Sequence, residues 1–184
     1  STIDLSVAFN EEFLNAPFRP QGIPARKSIG AGRYQFWNQV VSYEANNAKR
    51  IAPSLQFRNG DYYDGTRRGL TAGARYRLNE RFATTVSVSR DDITLPGGVS
   101  FDTTLATVRL DTSFSTRMFL NAFVQYNSVT KQIASNIRYD FIHRPLSDLF
   151  LVYNDARFVN LDRPTAAQVP TRALVLKYTH LLSF

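Results

Sequence analysis

The sequence predicts an all-β protein, an antiparallel up-and-down barrel of about ten strands. Three observations lead there. Helical periodicity is nearly absent, whereas alternation with a period of two recurs from end to end. One row of each alternation is apolar. Short and long connections take turns along the chain, as in a meander whose two ends face different surroundings.

The strand candidates cover about residues 2–9, 33–45, 51–59, 70–78, 82–89, 101–113, 118–126, 137–141, 148–154 and 172–184. The clearest are those in which both rows can be named. Leu70, Ala72, Ala74, Tyr76 and Leu78 alternate with Thr71, Gly73, Arg75 and Arg77. Phe82, Val86 and Val88 alternate with Ala83, Thr85, Ser87 and Ser89, and Ile137, Tyr139 and Phe141 with Asn136, Arg138 and Asp140. In 118–126 the polar row is broken by Phe119 and Phe123. In 33–45, Tyr34, Phe36 and Trp37 leave the phase ambiguous.

Tight connections are expected at NNAKR (46–50), LNER (78–81), SFST (113–116) and RPLSD (144–148). Longer ones are expected at 10–32, 59–68, 90–100, the shorter 127–132, and 155–171. Segment 10–32 holds Pro17, Pro20 and Pro24 and reads as a long extended loop. Counted back from Phe184, all four tight turns fall at one end, the periplasmic end of an outer-membrane barrel.

Composition narrows the class further. The 184 residues suit one domain, and no apolar run is long enough for a transmembrane helix. No basic-plus-apolar leader is visible, which leaves a cytosolic, a processed and a fragmentary chain all open. Without cysteine there are no disulfides, thiolate metal sites or cysteine nucleophiles. The net charge is +7, yet only Lys27, Lys49, Lys131 and Lys177 are lysines, and the glutamates are Glu11, Glu12, Glu44 and Glu80. Soluble surfaces usually carry many of both, so ordinary water-facing surface is scarce. The arginines are scattered through strands, which argues against nucleic acid as a partner.

Alternation alone does not say which face looks outward. A soluble barrel around a hydrophobic ligand hides its apolar face, and a membrane barrel turns it to lipid. The polar rows carry Thr, Ser, Asn, Gln and Arg in place of Lys and Glu. Tyr43, Tyr76, Tyr126, Tyr153 and Tyr178 lie near strand ends, as interfacial girdles do. The reading is therefore a transmembrane barrel with the bilayer as its partner. Arg58, Arg75, Arg77, Arg109, Arg138 and Lys177 then point into the lumen, with Asp111 and Asp140 as partners. In the last strand Leu174, Leu176, Tyr178, His180, Leu182 and Phe184 form the lipid-facing row. An apolar row ending in phenylalanine resembles the signal read by the outer-membrane barrel assembly machinery.

Four stretches carry a family resemblance: GDYYDGTRRGL (60–70), SRDDITLPGG (89–98), FVQYNSVTKQIASNIRYDFIHRPLSDLFLVYND (123–155) and RALVLKYTHLLSF (172–184). Together they resemble an uncharacterised bacterial family with an amino-terminal carbohydrate-binding-type β-sandwich and a carboxy-terminal outer-membrane β-barrel. The likeness covers residues 33–184. It implies a Gram-negative outer-membrane location and a barrel of unestablished role, and it carries over no catalytic residues. Members of that family are longer, with the sandwich and further strands ahead of this region. Whether ten strands make the whole barrel or its C-terminal part stays open.

The residues able to carry chemistry also have plainer roles. His143 and His180 fall near the periplasmic end without an evident partner and read as interfacial side chains, which argues against an outer-membrane hydrolase. Asp91, Asp92 and Asp102 match no metal-binding loop spacing, and DDITLPGG reads as a turn. Tyr62, Tyr63, Asp64, Arg67 and Arg68 are the candidate extracellular binding loop, for a glycan or small solute. GAGRYQFW (30–37) lacks the spacing of a phosphate loop. The expected function is a non-enzymatic membrane domain for surface binding or transport, with no cofactor and no metal.

Overall fold

The computed structural model describes residues 1–20, 28–159 and 171–181. They form a single sheet of ten antiparallel strands in sequence order. The strands are β1 (Thr2–Leu14), β2 (Gly32–Glu44), β3 (Ile51–Tyr62), β4 (Gly65–Asn79) and β5 (Phe82–Leu95), then β6 (Val99–Ser115), β7 (Met118–Asn127), β8 (Gln132–Arg144), β9 (Ser147–Phe158) and β10 (Thr171–Tyr178). All ten expected strands are present, and each pairs only with its neighbours in the chain. Among the described residues β1 and β10 are the two edges of the sheet and do not pair with each other, so the expected closure is not seen.

Register explains why the alternation was readable. Tracing partners sideways, Leu176 faces Leu151, which faces Tyr139, then Leu120. Val124 faces Val108, then Val86, Ala74 and Pro53. Phe57 faces Val41, then Leu5. The apolar rows of all ten strands thus join into one continuous face. The residues between them join into a second face, mainly of Thr, Ser, Asn, Gln, Arg and Asp, with Phe36, Val40, Phe119, Phe123, Phe150 and Val152 among them.

The sheet curls towards its polar face. Along β2 the polar-face residues are half-buried while Trp37, Val41 and Tyr43 opposite are exposed. Two cavities, of about 350 and 300 Å³, are lined mainly from the polar side, by Arg75, Arg77, Asp111, Asn121, Asn136 and Arg138 among others. The apolar side is the convex, accessible one: Ile3 is 76% exposed, Leu174 68% and Leu176 65%. Among the described residues the buried hydrophobic ones are few, namely Ile29, Ala45, Ala52, Ile93 and Leu95.

Several expected boundaries are corrected. The stretches 59–68 and 90–100 are not long loops, because β3–β4 and β5–β6 pair almost to their tips. They turn at Tyr63–Asp64 and Pro96–Gly98. Both faces of those strands are mixed there, so period-two alternation vanishes although the ladder continues. The loop expected at 10–32 is shorter, since β1 continues to Leu14 and β2 starts at Gly32. Within it Phe18 and Ile29 form an isolated bridge. β10 spans Thr171–Tyr178 with its pairing extended by Thr179 to Asp148; Leu182 and Phe184 lie outside the described residues.

Candidate functional site

The polar face is divided along its length. At the end where β1 meets the loop to β2, it turns apolar. Ile29, Ile93 and Leu95 are buried there against Leu14, Tyr34, Tyr62, Tyr63, Val99 and Phe101. Tyr63 occupies the turn with a φ of 53°, an uncommon conformation for a non-glycine residue. Its ring is held by Tyr34 at 5.2 Å, Phe36 at 5.8 Å, Phe18 at 6.1 Å and Tyr62 at 5.0 Å between centroids. Burial, then a hydrogen bond to the Glu12 carboxylate, pushes the Tyr63 hydroxyl up to about 12. These rings form an apolar cap over one end of the concave face.

The residues of the candidate binding loop are divided by this arrangement. Tyr62 and Tyr63 are packed into the cap. Arg67 on β4 points to the polar face and donates from Nε (2.9 Å) and Nη2 (2.8 Å) to the Asp91 carboxylate of β5. Gly69 lies directly beneath that pair, and a Cβ there would collide with Asp91 Oδ1. Arg68 is on the opposite face. Asp91 is likewise on the other side from Asp92 and Asp102, which share Arg90 at 3.4 and 3.7 Å. Three carboxylates that look like one cluster in the sequence serve two faces, each answered by arginine.

Towards the tight turns the polar face becomes basic. By register Arg58, Arg75, Arg77, Arg109, Asp111, Arg138, Asp140 and Lys177 all lie on it. Arg109 Nε donates to both Asp111 oxygens, at 3.2 and 3.0 Å. Arg138 lies 3.8 Å from Asp140 and stacks over the Phe150 ring at 4.6 Å. Both pairs are two residues apart on one strand, the spacing that puts side chains on the same face.

Two clusters escaped the sequence reading. The first joins His143, Tyr178 and His180 on the apolar face at the turn end. His143 Nε2 is 3.3 Å from His180 Nδ1, and the Tyr178 hydroxyl is 3.3 Å from each. The register shifts between Ile142 and Arg144, so His143 is the extra residue of a bulge. Bulges re-aim side chains, and this one brings His143 across β9 to β10, on either side of the buried Ser147. The expectation that the histidines lack partners is corrected: they are partners of each other and of Tyr178. No family model and no curated protein matches the chain.

The second cluster is Asp155 with Arg157 and Arg172. The Asp155 side chain is fully buried, with Arg157 Nε and Arg172 Nε each 2.9 Å from one of its oxygens. It ties β9 to the edge strand β10. Asp155 sits in the outward row of β9 directly after Leu149, Leu151 and Tyr153. The same change recurs around the sheet. Ile3, Leu5, Val7 and Phe9 give way to Glu11, which pairs with Arg33 of β2. Phe82, Thr84, Val86 and Val88 give way to Arg90, and Tyr178, Leu176 and Leu174 to Arg172. The convex face therefore carries a mainly apolar band from the tight turns upward, interrupted by Gln39, Thr84, Thr112 and Ser135, with ionic side chains fringing its upper edge.

Proposed function

We propose that this chain is the membrane-embedded β-barrel domain of a Gram-negative outer-membrane protein, non-enzymatic, serving surface binding or solute passage. The observation that carries this reading is the inversion of polarity: the joined apolar rows of ten strands form the exposed convex face, and the concave face is polar. A soluble barrel for a hydrophobic ligand needs the reverse. The apolar rows run for roughly 20–25 Å of strand before the first charges, at about 3.3 Å per residue, close to the height of a bilayer-facing band. Tyr43, Tyr76 and Tyr178 with the two histidines then supply the aromatic girdle at the turn end.

The apolar cap favours binding over an open channel, since it covers the loop end of the polar face. A hydrolase is disfavoured because neither histidine, among the described residues, is hydrogen-bonded to a carboxylate that could orient it. The exposed edge of β10, with Leu174, Leu176, Tyr178 and His180 in its outward row, is the surface we assign to the barrel assembly machinery. The bilayer and that machinery are its partners, and a glycan or small solute its ligand class.

Detergent tests the reading directly. The purified protein should stay monodisperse only above a detergent's critical micelle concentration and migrate faster unheated than heated on a denaturing gel. A monodisperse monomer in plain buffer would overturn the proposal. In hydrocarbon, moreover, no strand edge is tolerated with unpaired N–H and C=O groups. The amides of β1 and β10 should therefore be as protected from hydrogen exchange in lipid vesicles as those of β5. Fast exchange confined to these two strands would mean that the edges are wet.

A further inference from the structure

The charges of the concave face are not balanced where the tight turns close it. A cavity of about 350 Å³ opens there between β4, β5, β6 and β7. Arg75 and Arg77 reach it from β4 and Arg81 from the following turn, with Asn79, Glu80, Asp111, Thr112, Ser113 and Asn121 around them. Arg75 and Arg77 are half-buried. Among the described residues none of the three guanidiniums has an ion-pair partner. Asp111 is taken by Arg109, and Glu80 lies exposed in the turn beside Arg81. Asp140, across from Phe119 at the cavity edge, is the carboxylate nearest Arg138. Five guanidiniums, counting Arg109 and Arg138, thus face three carboxylates, and the two carboxylates that are paired answer Arg109 and Arg138.

Crowded, partly desolvated like charges are unfavourable unless a counter-charge joins them. Guanidinium forks match tetrahedral and carboxylate oxyanions in a bidentate way, and the amide and hydroxyl groups of Asn79, Asn121 and Ser113 complete a donor-rich lining. The volume suits a small solute with one such head. We propose that this cavity is a binding site for a phosphate-type oxyanion, free or as the head group of a small solute, held by Arg75, Arg77 and Arg81. The site is defined by the polar face alone, so it stands or falls separately from the membrane reading, which the detergent test decides.

The test is a titration of the detergent-solubilised protein in phosphate-free, low-salt buffer with inorganic phosphate, and separately with glucose 6-phosphate. Binding is followed by calorimetry and by ³¹P line broadening. Saturable binding is expected, weakened about tenfold by Arg77→Gln, as one charge-assisted contact implies, and lost in the triple Arg75→Gln, Arg77→Gln, Arg81→Gln variant. A control variant, Arg33→Gln with Arg50→Gln and Arg90→Gln, removes equal charge from the other face, where Arg50 packs over Tyr76, and should bind as the parent does. Unsaturable binding, or equal losses in the two triple variants, would reduce the effect to net charge and overturn the proposal. Folding of each variant is checked by the gel shift. If the first triple variant misfolds, the single Arg77→Gln change and competition by sulfate against chloride decide it. Sulfate should displace phosphate at concentrations where chloride does not.

Discussion

An arginine placed at Val86 or Val108 is expected to cost about 2–4 kcal/mol of stability when the protein is folded into a bilayer. Both valines are 45% exposed and sit in the middle of the apolar band, facing each other across β5 and β6. On a water-washed surface the same change at such an exposed position shifts stability by no more than about 0.5 kcal/mol. The two environments thus differ by a factor large enough to decide between them. The measurement is urea unfolding from lipid vesicles, with Ser87→Arg on the polar face as the comparison. The penalty should also shrink towards the upper fringe, so that Thr104→Arg costs less than Val108→Arg. Unfolding midpoints for Val86→Arg and Val108→Arg equal to the parent's would place the convex face in water.

Asp155→Ala is expected to lower stability by about 2 kcal/mol, with the loss concentrated at β10. The carboxylate is fully buried between Arg157 and Arg172, so its removal takes away one charge-assisted hydrogen bond, from Arg172, and one ion pair, with Arg157. Buried pairs cost about 3–5 kcal/mol to break, but these arginines are themselves 56% and 64% exposed and regain water, which discounts the figure. Among the described residues β10 is short and pairs with β9, so the local effect should exceed the global one. Hydrogen exchange should show opening at Arg172–Leu176 before any change in β4–β6. Uniform destabilisation, or none, would mean that the ion triad does not dock the last strand.

Much of this fold was legible because its rule is local. In a meander each strand pairs with the next, so a strand, its row polarity and its neighbour are all read from one stretch of sequence. The eight charged residues expected on one face lie there for that reason. Legibility failed where the pairing continued without alternation. At Asp61–Thr66 and Asp91–Phe101 both faces carry polar and aromatic side chains, because one faces the cap and the other the charged fringe. It failed again where a contact depends on register across a long connection. Asp155 and Arg172 are 17 residues apart in the chain, and only the β9–β10 ladder makes them partners. His143 needed a one-residue bulge, which no residue pattern announces.

The order of the sheet also has a consequence for how the molecule is made. Every ladder joins consecutive strands, so loop-closure entropy is small at each step and the wall grows hairpin by hairpin. A strand leaving the growing wall disturbs one seam and leaves the others standing. Growth of this kind tolerates interruption from either end, like a zip with many sliders. Only a seam between the first and last strands would require the chain's distant parts to find each other, making closure the slow step of assembly.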